Sequence, residues 1–308
     1  MTVRSVLITG GNGNLGHLLA DRFENMGIRV ISYDIVEPQR PVPSRNIILG
    51  DIRDTDKLRT IFENERPEAV VHLAGLLSGS SEADPMAAWE INATASVKLM
   101  QMAEAHNVGP FVFSSTVASY GPEVPAELPA ETPQWPQNVY GATKIATERM
   151  GNWMKTKRGF DFRCLRFPMV ISPFAPPGAV TAYPGHACLA AKSGKPFAFP
   201  VKAETGMSTL YLMDVVRSLE EFTLCEKSCV KQPAYNLHAY HFTAGMLAQT
   251  LENRFPGAKF TFDPQEPADS MIANWPDIIQ DTHAREDWGW RHRYDFNDTI
   301  DALLETIN

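Results

Sequence analysis

The chain has 308 residues, 44% of them hydrophobic and 21% charged, a composition typical of a soluble globular protein. The 36 Asp and Glu outnumber the 28 Lys and Arg, and no basic run tracks a phosphate backbone, which argues against nucleic acid as a partner. No apolar run approaches the roughly 18 residues of a membrane span, and the first residues enter a strand-like segment, so we expect a cytoplasmic protein with no membrane partner.

The first 170 residues alternate between short β-branched runs and helical stretches, which predicts parallel strands joined by crossover helices. The predicted strands are residues 3–9, 29–33, 46–49, 69–73, 111–114 and 162–167. The predicted helices begin near Asn14, Thr55, Pro85 and Asn138, where Asn, Thr or a first-turn Pro is a good N-terminal signal. The near-continuous apolar strands are typical of a sheet covered on both faces. We therefore expect an α/β protein with a Rossmann-type, doubly wound parallel sheet.

After residue 170 the alternation breaks down. We expect an amphipathic helix near residues 213–224, a strand at 234–238, a helix entered at Thr243 and a C-terminal helix capped at Asn297 or Asp298. This pattern predicts a smaller lobe that folds over the crevice at the strand ends.

Four cysteines are spread unevenly along the chain: Cys164, Cys188, Cys225 and Cys229. So few cysteines predict reduced and mainly structural thiols. Neither the Cys225/Cys229 pair nor the His238/His241 pair has further ligands at the spacing of a zinc site. We therefore expect no metal.

Residues 9–16, Thr-Gly-Gly-Asn-Gly-Asn-Leu-Gly, follow the first predicted strand and open the first predicted helix. Glycines at this point allow a tight turn, the close approach of a pyrophosphate and packing of the helix on the strand. Asp34 stands at the end of the second predicted strand, where a carboxylate accepts hydrogen bonds from the adenosine ribose hydroxyls and repels a 2′-phosphate. This arrangement predicts dinucleotide binding and favours NAD over NADP.

Tyr140 and Lys144 are four residues apart and therefore share one face of the helix that begins near Asn138. A tyrosine with a reference pKa of about 10 acts as a base at neutral pH only if cations stabilise its phenolate. Lys144 and a positive nicotinamide ring would supply those cations. The third partner is expected to be a hydroxyl at the end of the fifth strand, where Ser114, Ser115 and Thr116 follow one another.

These motifs together resemble the extended short-chain dehydrogenase/reductase superfamily along essentially the whole chain. The matching stretches are residues 9–16, Asp34, 50–52, 72–75, Asn92, 114–121 and 140–144. The resemblance implies NAD as cofactor and a set of cofactor-binding residues: Gly10, Gly13, Asn14, Leu15, Gly16, Asp34, Asp51, Ile52, Leu73, Ala74, Gly75, Tyr140, Lys144 and Pro168.

The same resemblance implies that Thr116, Tyr140, Lys144 and Asn92 are catalytic. Thr116 takes this role because it stands five residues before Gly121, the position of the third hydroxyl residue in the superfamily pattern. Ser115 is the fallback, since one neighbouring subfamily has a shorter version of this loop.

Within the superfamily, residues 72–78, 165–172, 274–277 and 284–290 resemble the short-chain L-threonine 3-dehydrogenases. This likeness implies oxidation of the threonine C3 hydroxyl to 2-amino-3-oxobutanoate. The implied substrate-binding residues are Ser78, Ser80, Thr116, Tyr140, Thr181 and Trp275. The segment 175–183 departs from the Gly- and Thr-rich loop of that subfamily, and only Thr181 clearly matches it.

Three other functions stay open. Residues 72–79 and Trp275-Pro276 also resemble sugar-acid dehydrogenases of the erythronate type. Sugar-nucleotide epimerases and dehydratases usually carry asparagine where Met169 stands, and an apolar residue cannot make those polar contacts. A non-catalytic, NAD-sensing regulator would have no need of Thr116, Tyr140 and Lys144.

The predicted organisation is an NAD-binding Rossmann domain over residues 1–170, to which 208–240 return, and an interleaved substrate-binding lobe of 171–207 and 241–308. The helix 85–106 is apolar over most of its circumference, which predicts burial on more than one side, within one chain or across a two-fold axis. We expect a homodimer through the helices 85–106 and 138–157.

Overall fold

A seven-stranded parallel sheet forms the centre of the computed structural model, which describes residues 3–174, 182–266 and 268–307. Across the sheet the strands are β11 (Tyr235–Asn236), β7 (Phe162–Phe167), β5 (Phe111–Thr116), β4 (Ala69–His72), β1 (Ser5–Thr9), β2 (Arg29–Asp34) and β3 (Asn46–Leu49). The chain runs outward from β1 in one direction through β2 and β3, and in the other through β4, β5 and β7. This order is that of a Rossmann fold and confirms the predicted fold class.

Alternate residues of β1, β2, β4, β5 and β7 enter two apolar cores on opposite faces of the sheet. On β1, Val6 and Ile8 join the core beneath α1 (Asn14–Asn25) and α8 (Leu212–Leu224), while Leu7 joins the opposite core. That second core is covered by α2 (Thr55–Glu65), α5 (Ala95–Ala105) and α6 (Val139–Arg158). Both faces of the sheet are therefore buried, as the apolar strands predict.

A second group of elements packs around its own apolar cluster, which includes Met169, Phe199 and Leu247. Its strands form one three-stranded sheet and one two-stranded sheet: β8 (Met169–Ile171), β10 (Gly206–Tyr211) and β12 (Tyr240–Thr243), then β9 (Phe197–Phe199) and β13 (Phe260–Phe262). Its helices are α7 (Tyr183–Lys192), α9 (Ala244–Arg254), α10 (Ala268–Ala273) and α12 (Phe296–Thr306). Two short strands, β6 (Glu127–Leu128) and β14 (Ile278–Ile279), pair with each other, and α11 (Thr282–Asp287) follows them.

The domain boundaries drawn from the sequence stay a prediction. Within the segment 208–240, α8 packs on the central sheet and β11 pairs with β7, whereas β10 pairs with β8 and β12. None of the helices in the described part of the chain is both long enough and apolar enough to cross a membrane.

The helix predicted over residues 85–106 contains a change of pitch. It runs as α4 (Pro85–Ala88), a π-helical stretch (Trp89–Thr94) and α5. Leu99, Met100 and Ala103 are buried, but the side chains of Met86 and Trp89 are 72% and 45% exposed. Burial within one chain therefore does not cover the whole circumference of this helix.

The predicted cap of the C-terminal helix is wrong by two or three residues. The helix begins at Phe296, and the Asp295 carboxylate accepts a hydrogen bond from the Asp298 N–H (2.9 Å) while the Asp298 side chain accepts one from the Asp295 N–H (3.1 Å). This reciprocal pair is a capping box with aspartate in the position usually held by Glu or Gln. Asp298 is thus the third helical residue rather than the cap.

Replacing Asp295 by Ala removes the acceptor for the Asp298 N–H, and we expect the free energy of unfolding to fall by about 1 kcal/mol. Urea denaturation measures this change. Asp295→Asn is the control, because asparagine caps helices as well as aspartate does. Equal losses in the two variants would contradict the capping role.

Candidate active site

The glycine-rich turn lies at the carboxyl end of β1, in the crevice where the strand order reverses. Gly10 has φ +71°, and a Cβ there would lie 2.8 Å from the Ala74 nitrogen, so glycine is needed for both conformation and space. A Cβ on Gly16 would collide with the Gly10 carbonyl oxygen. At Gly13, in contrast, the nearest atom to a Cβ is the Gly10 oxygen at 3.4 Å, an ordinary contact. The protein itself therefore leaves room beside Gly13.

Gly13 is also the N-cap of α1, and no side chain caps this end of the helix. The first main-chain N–H groups of a helix have no partner within the helix and attract anions. Here they lie beside Gly13, which has no Cβ to fill the space in front of them. An unfilled cradle at an uncapped helix N-terminus fits a diphosphate. The Asn14 amide, at the same end of α1, donates a hydrogen bond to the Phe174 carbonyl (2.8 Å).

Asp34 ends β2 and is partly exposed. Its Oδ2 accepts a hydrogen bond from the Asn12 N–H (2.9 Å) and its Oδ1 from the Val36 N–H (3.2 Å), which fixes the carboxylate beside the glycine turn. Each carboxylate oxygen can accept a further bond, as two ribose hydroxyls require. The negative charge is unfavourable for a 2′-phosphate.

The remaining residues predicted to bind the cofactor follow other strands of the same edge. Leu73, Ala74 and Gly75 come directly after β4, and Pro168 is buried between β7 and β8. The Asp51 carboxylate pairs with Arg53 (2.6 Å), which lowers the pKa of that carboxyl, and the Ile52 side chain packs in the core. Any contact of Ile52 with a cofactor is therefore left to its main chain.

Lys144 lies between the Tyr140 ring and the end of β5. Its ammonium donates a hydrogen bond to the Ser114 carbonyl (2.8 Å) and is 5.5 Å from the centre of the Tyr140 ring. The first turn of α6 is held against the turn after Thr116, since a Cβ on Gly141 would collide with the Ala118 carbonyl oxygen. These contacts bring Tyr140, Lys144 and Thr116 to one region of the crevice.

The protonation of this pair is set by desolvation. Burial raises the pKa of Tyr140 to about 12 and lowers the pKa of Lys144 to about 8. The described groups around Tyr140 therefore keep its phenol protonated at neutral pH. A further positive charge beside the ring would lower the pKa of Tyr140 and favour its phenolate.

Ser115 and Thr116 point to opposite sides of β5, as successive strand residues do. The Ser115 hydroxyl is buried and donates to the fully buried Glu148 carboxylate, which is paired with Arg166 (2.7 Å). Thr116 is partly exposed, and its hydroxyl oxygen accepts a bond from the Ala118 N–H (3.1 Å). Of the two hydroxyls, the one on Thr116 has its proton available for a ligand, and the fallback Ser115 is engaged elsewhere.

Asn92 lies in the π-helical stretch, and both the oxygen and the nitrogen of its side-chain amide form hydrogen bonds with the protein. Its Oδ1 accepts from the Leu76 N–H (2.8 Å) and its Nδ2 donates to the Leu76 carbonyl (3.0 Å), which fixes the segment between β4 and α3 (Ser78–Ala83). The catalytic role that the family resemblance implies for Asn92 stays a prediction.

A buried hydrogen-bonded chain supports Asn92, and sequence reasoning missed it. The Ser96 hydroxyl donates to the Asn92 carbonyl (2.6 Å), so it accepts from His72 Nε2 (2.8 Å), and His72 Nδ1 then accepts from the Thr9 hydroxyl (2.6 Å). Burial lowers the pKa of His72 to about 3, so the ring stays neutral. The Thr147 hydroxyl reaches the same carbonyl (3.0 Å). The sequence signal that could have indicated this hydrogen-bonded chain is a histidine, His72, at the end of a buried strand.

The residues predicted to bind substrate lie in different parts of the structure and differ in their burial. Ser78 and Ser80 are exposed on α3, next to the segment that Asn92 holds. Trp275 is partly buried against the apolar cluster that includes Met169, Phe199 and Leu247. Thr181 lies outside the described residues.

A further pair singled out in the sequence, His238 and His241, is not a shared site. His238 bonds to the Ser208 hydroxyl (2.7 Å), while His241 contacts Asp277 (2.9 Å). Across residues 3–174, 182–266 and 268–307, no three His, Cys, Asp or Glu side chains are grouped as metal ligands would be.

Comparison with known proteins agrees with the geometry. A family model described as the NAD dependent epimerase/dehydratase family matches residues 6–229, most of the chain. The chain belongs to this family. Its cofactor is NAD, in agreement with the diphosphate cradle at Gly13 and the carboxylate of Asp34.

Several proteins that are similar to this chain share one activity in their names, that of an L-threonine dehydrogenase. The mitochondrial L-threonine 3-dehydrogenase of Bos taurus is 33% identical over 97% of this chain and 81% of its own length. The structure of L-threonine 3-dehydrogenase from Trypanosoma brucei is 27% identical, covers 100% of this chain and 97% of its own, and has a TM-score of 0.93. The holo form of a GalE-like L-threonine dehydrogenase from Cupriavidus necator is 29% identical over 99% and 100% of the two chains, with a TM-score of 0.92.

The space beside Gly13 gives a test of the cradle. Because a Cβ there meets only an ordinary contact, we expect Gly13→Ala to fold normally but to bind NAD about tenfold more weakly or worse. Thermal denaturation and NAD titration measure the two effects. Gly16→Ala is the matched comparison and is expected to lose both stability and affinity, since its Cβ collides with the Gly10 oxygen. Unchanged NAD affinity in Gly13→Ala would contradict the cradle.

Proposed function

We propose that this chain is an NAD-dependent dehydrogenase that oxidises the C3 hydroxyl of L-threonine to 2-amino-3-oxobutanoate. The observation that carries the proposal is the 33% identity to an L-threonine 3-dehydrogenase over 97% of the chain. The convergence of Thr116, Tyr140 and Lys144 at the end of β5 supports it, because those groups suit removal of a proton from an alcohol.

In the proposed mechanism each of the three residues acts on the substrate hydroxyl or on its base. The Thr116 hydroxyl forms a hydrogen bond with the substrate C3 hydroxyl and orients it. The Tyr140 phenolate removes the hydroxyl proton, and Lys144 stabilises that phenolate. Bound NAD supplies the hydride acceptor, so that loss of hydride and proton leaves a ketone at C3. Asn92 holds the segment that leads into α3, the helix that carries Ser78 and Ser80.

Two other substrate classes compete with threonine. A sugar nucleotide is disfavoured because Met169, which stands where epimerases usually have asparagine, is buried in the apolar cluster of the second lobe. A small sugar acid of the erythronate type uses the same chemistry at the reacting carbon, and only measurement separates it from threonine.

The substrate proposal is tested by NADH formation, followed by absorbance, with NAD and a panel of L-threonine, L-allo-threonine, L-serine, erythronate and a UDP-sugar. We expect the highest kcat/KM with L-threonine. A preference for erythronate would move the function to a sugar-acid dehydrogenase. Conversion of a UDP-sugar without NADH release would make the chain an epimerase, and NAD binding without turnover of any substrate would make it a regulator.

Replacing Tyr140 by Phe removes the base, and we expect turnover to fall by about 10²–10⁴-fold while NAD affinity stays nearly unchanged. Steady-state kinetics and NAD titration measure the two quantities. Tyr294→Phe is the control, a loss of a phenol in the second lobe. If Tyr140→Phe retains full activity, another group is the base.

We also propose that the chain forms a homodimer through α6 and the continuous helical segment 85–105, which comprises α4, the π-helical stretch and α5. Met86 and Trp89 on that segment and Trp153 on α6 are 72%, 45% and 44% exposed, a set of large apolar side chains that a second copy would cover. One structural neighbour is described as a monomeric L-threonine 3-dehydrogenase, so the structural likeness alone does not establish a dimer.

Light scattering tests the dimer directly. We expect twice the chain mass of 34.2 kDa for the natural sequence, and a shift to the single chain mass in Trp89→Lys. Trp135→Lys is the matched control, because Trp135 is more exposed but lies outside these helices. A single chain mass for the natural sequence at micromolar concentration would exclude the dimer.

Finally, we propose a cytoplasmic location. All four cysteines are described and none forms a disulfide, which suits a reducing compartment. Cell fractionation tests the proposal.

A further inference from the structure

Helix α3 carries Ser78 and Ser80, two of the residues predicted to bind substrate, and it packs against α6, the helix of Tyr140 and Lys144. Both serines are exposed, so their place relative to Tyr140 depends on how α3 itself is held. A helix of six residues has little stability of its own and takes its position from its contacts. The contacts between α3 and α6 are therefore part of the geometry of the predicted active site.

The amino end of α3 is tied to α6 through buried groups. The Leu76 carbonyl, two residues before α3, accepts from the Asn92 amide (3.0 Å) and from the Ser81 hydroxyl (3.3 Å). The same Asn92 amide donates to the Thr143 hydroxyl (3.3 Å), and the Asn92 carbonyl accepts from the Thr147 hydroxyl (3.0 Å). Because Thr143 and Thr147 both lie on α6, Asn92 joins the entry of α3 to that helix.

The other end of α3 is tied to the start of α6 by one carboxylate. Glu82 is the last residue but one of α3, and its Oε1 accepts a hydrogen bond from the Val139 N–H (2.7 Å). Val139 is the first residue of α6, so its N–H has no acceptor within the helix. Asn138 caps the same turn by accepting from the Gly141 N–H (2.6 Å). A negative carboxylate at this end of a helix is also favoured by the helix dipole, so Glu82 suits this place.

We propose that Glu82 is a positioning residue that holds α3 in a fixed place relative to Tyr140. Tyr140 directly follows Val139, so the residue that Glu82 binds is the neighbour of the proposed base. Glu82 and Asn92 act at the two ends of α3, and both connect it to α6. A substrate bound to α3 is thereby presented to Tyr140 at one distance. This inference rests on the proposed function, in which α3 binds the substrate and Tyr140 removes its proton.

The two connections differ in what their loss does to the fold. Asn92 is 2% exposed, so its replacement leaves buried polar groups without partners and destabilises the protein. Glu82 is exposed, and after its removal water can reach the Val139 N–H. The fold therefore tolerates the loss of Glu82, while α3 and the first turn of α6 are less firmly joined. Catalysis is more sensitive than folding to such a change, because a misplacement of about 1 Å costs about 10²-fold in rate.

Replacing Glu82 by Ala is expected to lower kcat about tenfold, with NAD affinity nearly unchanged. Glu82→Gln keeps an oxygen that accepts from the Val139 N–H and is expected to restore most of the turnover. Asp84→Ala is the matched control. It removes another exposed carboxylate that caps a helix, since Asp84 accepts from the Ala87 N–H (3.0 Å) at the start of α4, but it leaves α6 untouched. Steady-state kinetics, NAD titration and thermal denaturation of the full chain measure these effects.

Hydrogen–deuterium exchange reports on the same connection without any substrate. We expect the amides of residues 139–141 to exchange faster in Glu82→Ala than in the natural protein, in Glu82→Gln or in Asp84→Ala. Faster exchange together with an unchanged kcat would overturn the positioning role. Equal losses of kcat in Glu82→Ala and Asp84→Ala would also overturn it, because they would show a general effect on stability.

NADH formation by the natural protein tests the proposed function separately from this role. If it oxidises erythronate rather than L-threonine, the variants are compared with erythronate. A loss of kcat confined to Glu82→Ala would then leave the positioning role standing while the substrate assignment fails. If the natural protein oxidises no substrate of the panel, the positioning role falls together with the dehydrogenase.

Discussion

Glu148 is an acid with no exposed surface, and the position of α6, the helix that carries Tyr140 and Lys144, depends on how its charge is compensated. Arg166 on β7 binds both of its oxygens, Ser115 on β5 donates to it, and the Gln134 amide donates to it from the loop after β6 (3.2 Å). A buried ion has lost its hydration, so removal of one partner typically costs about 3–5 kcal/mol. Glu148 therefore fixes α6 against two strands at once, with little freedom of rotation or translation.

Because Glu148 fixes α6, it also fixes the first turns of that helix, which carry Tyr140 and Lys144. Lys144 is one turn before Glu148, and its ammonium is held at the Ser114 carbonyl, while Tyr140 is one further turn away at the open crevice. Because burial raises the pKa of Tyr140 to about 12 and lowers that of Lys144 to about 8, neither group is poised for catalysis by the described residues alone. In the proposed mechanism the positive charge of the bound cofactor would add to that of Lys144 in favouring the phenolate. The scaffold would then supply position and a low dielectric, and cofactor binding would complete the electrostatics.

The sequence was sufficient for the parts of the molecule that local patterns govern. The strands 46–49 and 162–167 and the helix starts at Asn14, Thr55 and Pro85 are observed as predicted, because apolar periodicity and capping residues act over a few positions. It was not sufficient for β8, β10 and β12, which pair segments that are far apart in the chain. For the same reason the sequence does not reveal the hydrogen-bonded chain that supports Asn92. The chain involves Thr9, His72, Ser96 and Thr147, which come from four separate elements and become neighbours only in the fold.

The sequence motif does not distinguish Ser115 from Thr116, but the contacts of their two hydroxyls do. Both are hydroxyl residues at the end of β5, and either satisfies a loose pattern. A strand, however, sends successive side chains to opposite faces, and only one face of β5 meets the buried Glu148. A buried carboxylate recruits every nearby donor, so the hydroxyl on that face is committed to structure. The other, on the face shared with the Ser114 side chain two residues earlier, is left at the crevice with its proton free. The demand of a buried charge for partners thus commits Ser115 to structure and favours Thr116 for the proposed role of substrate-facing hydroxyl.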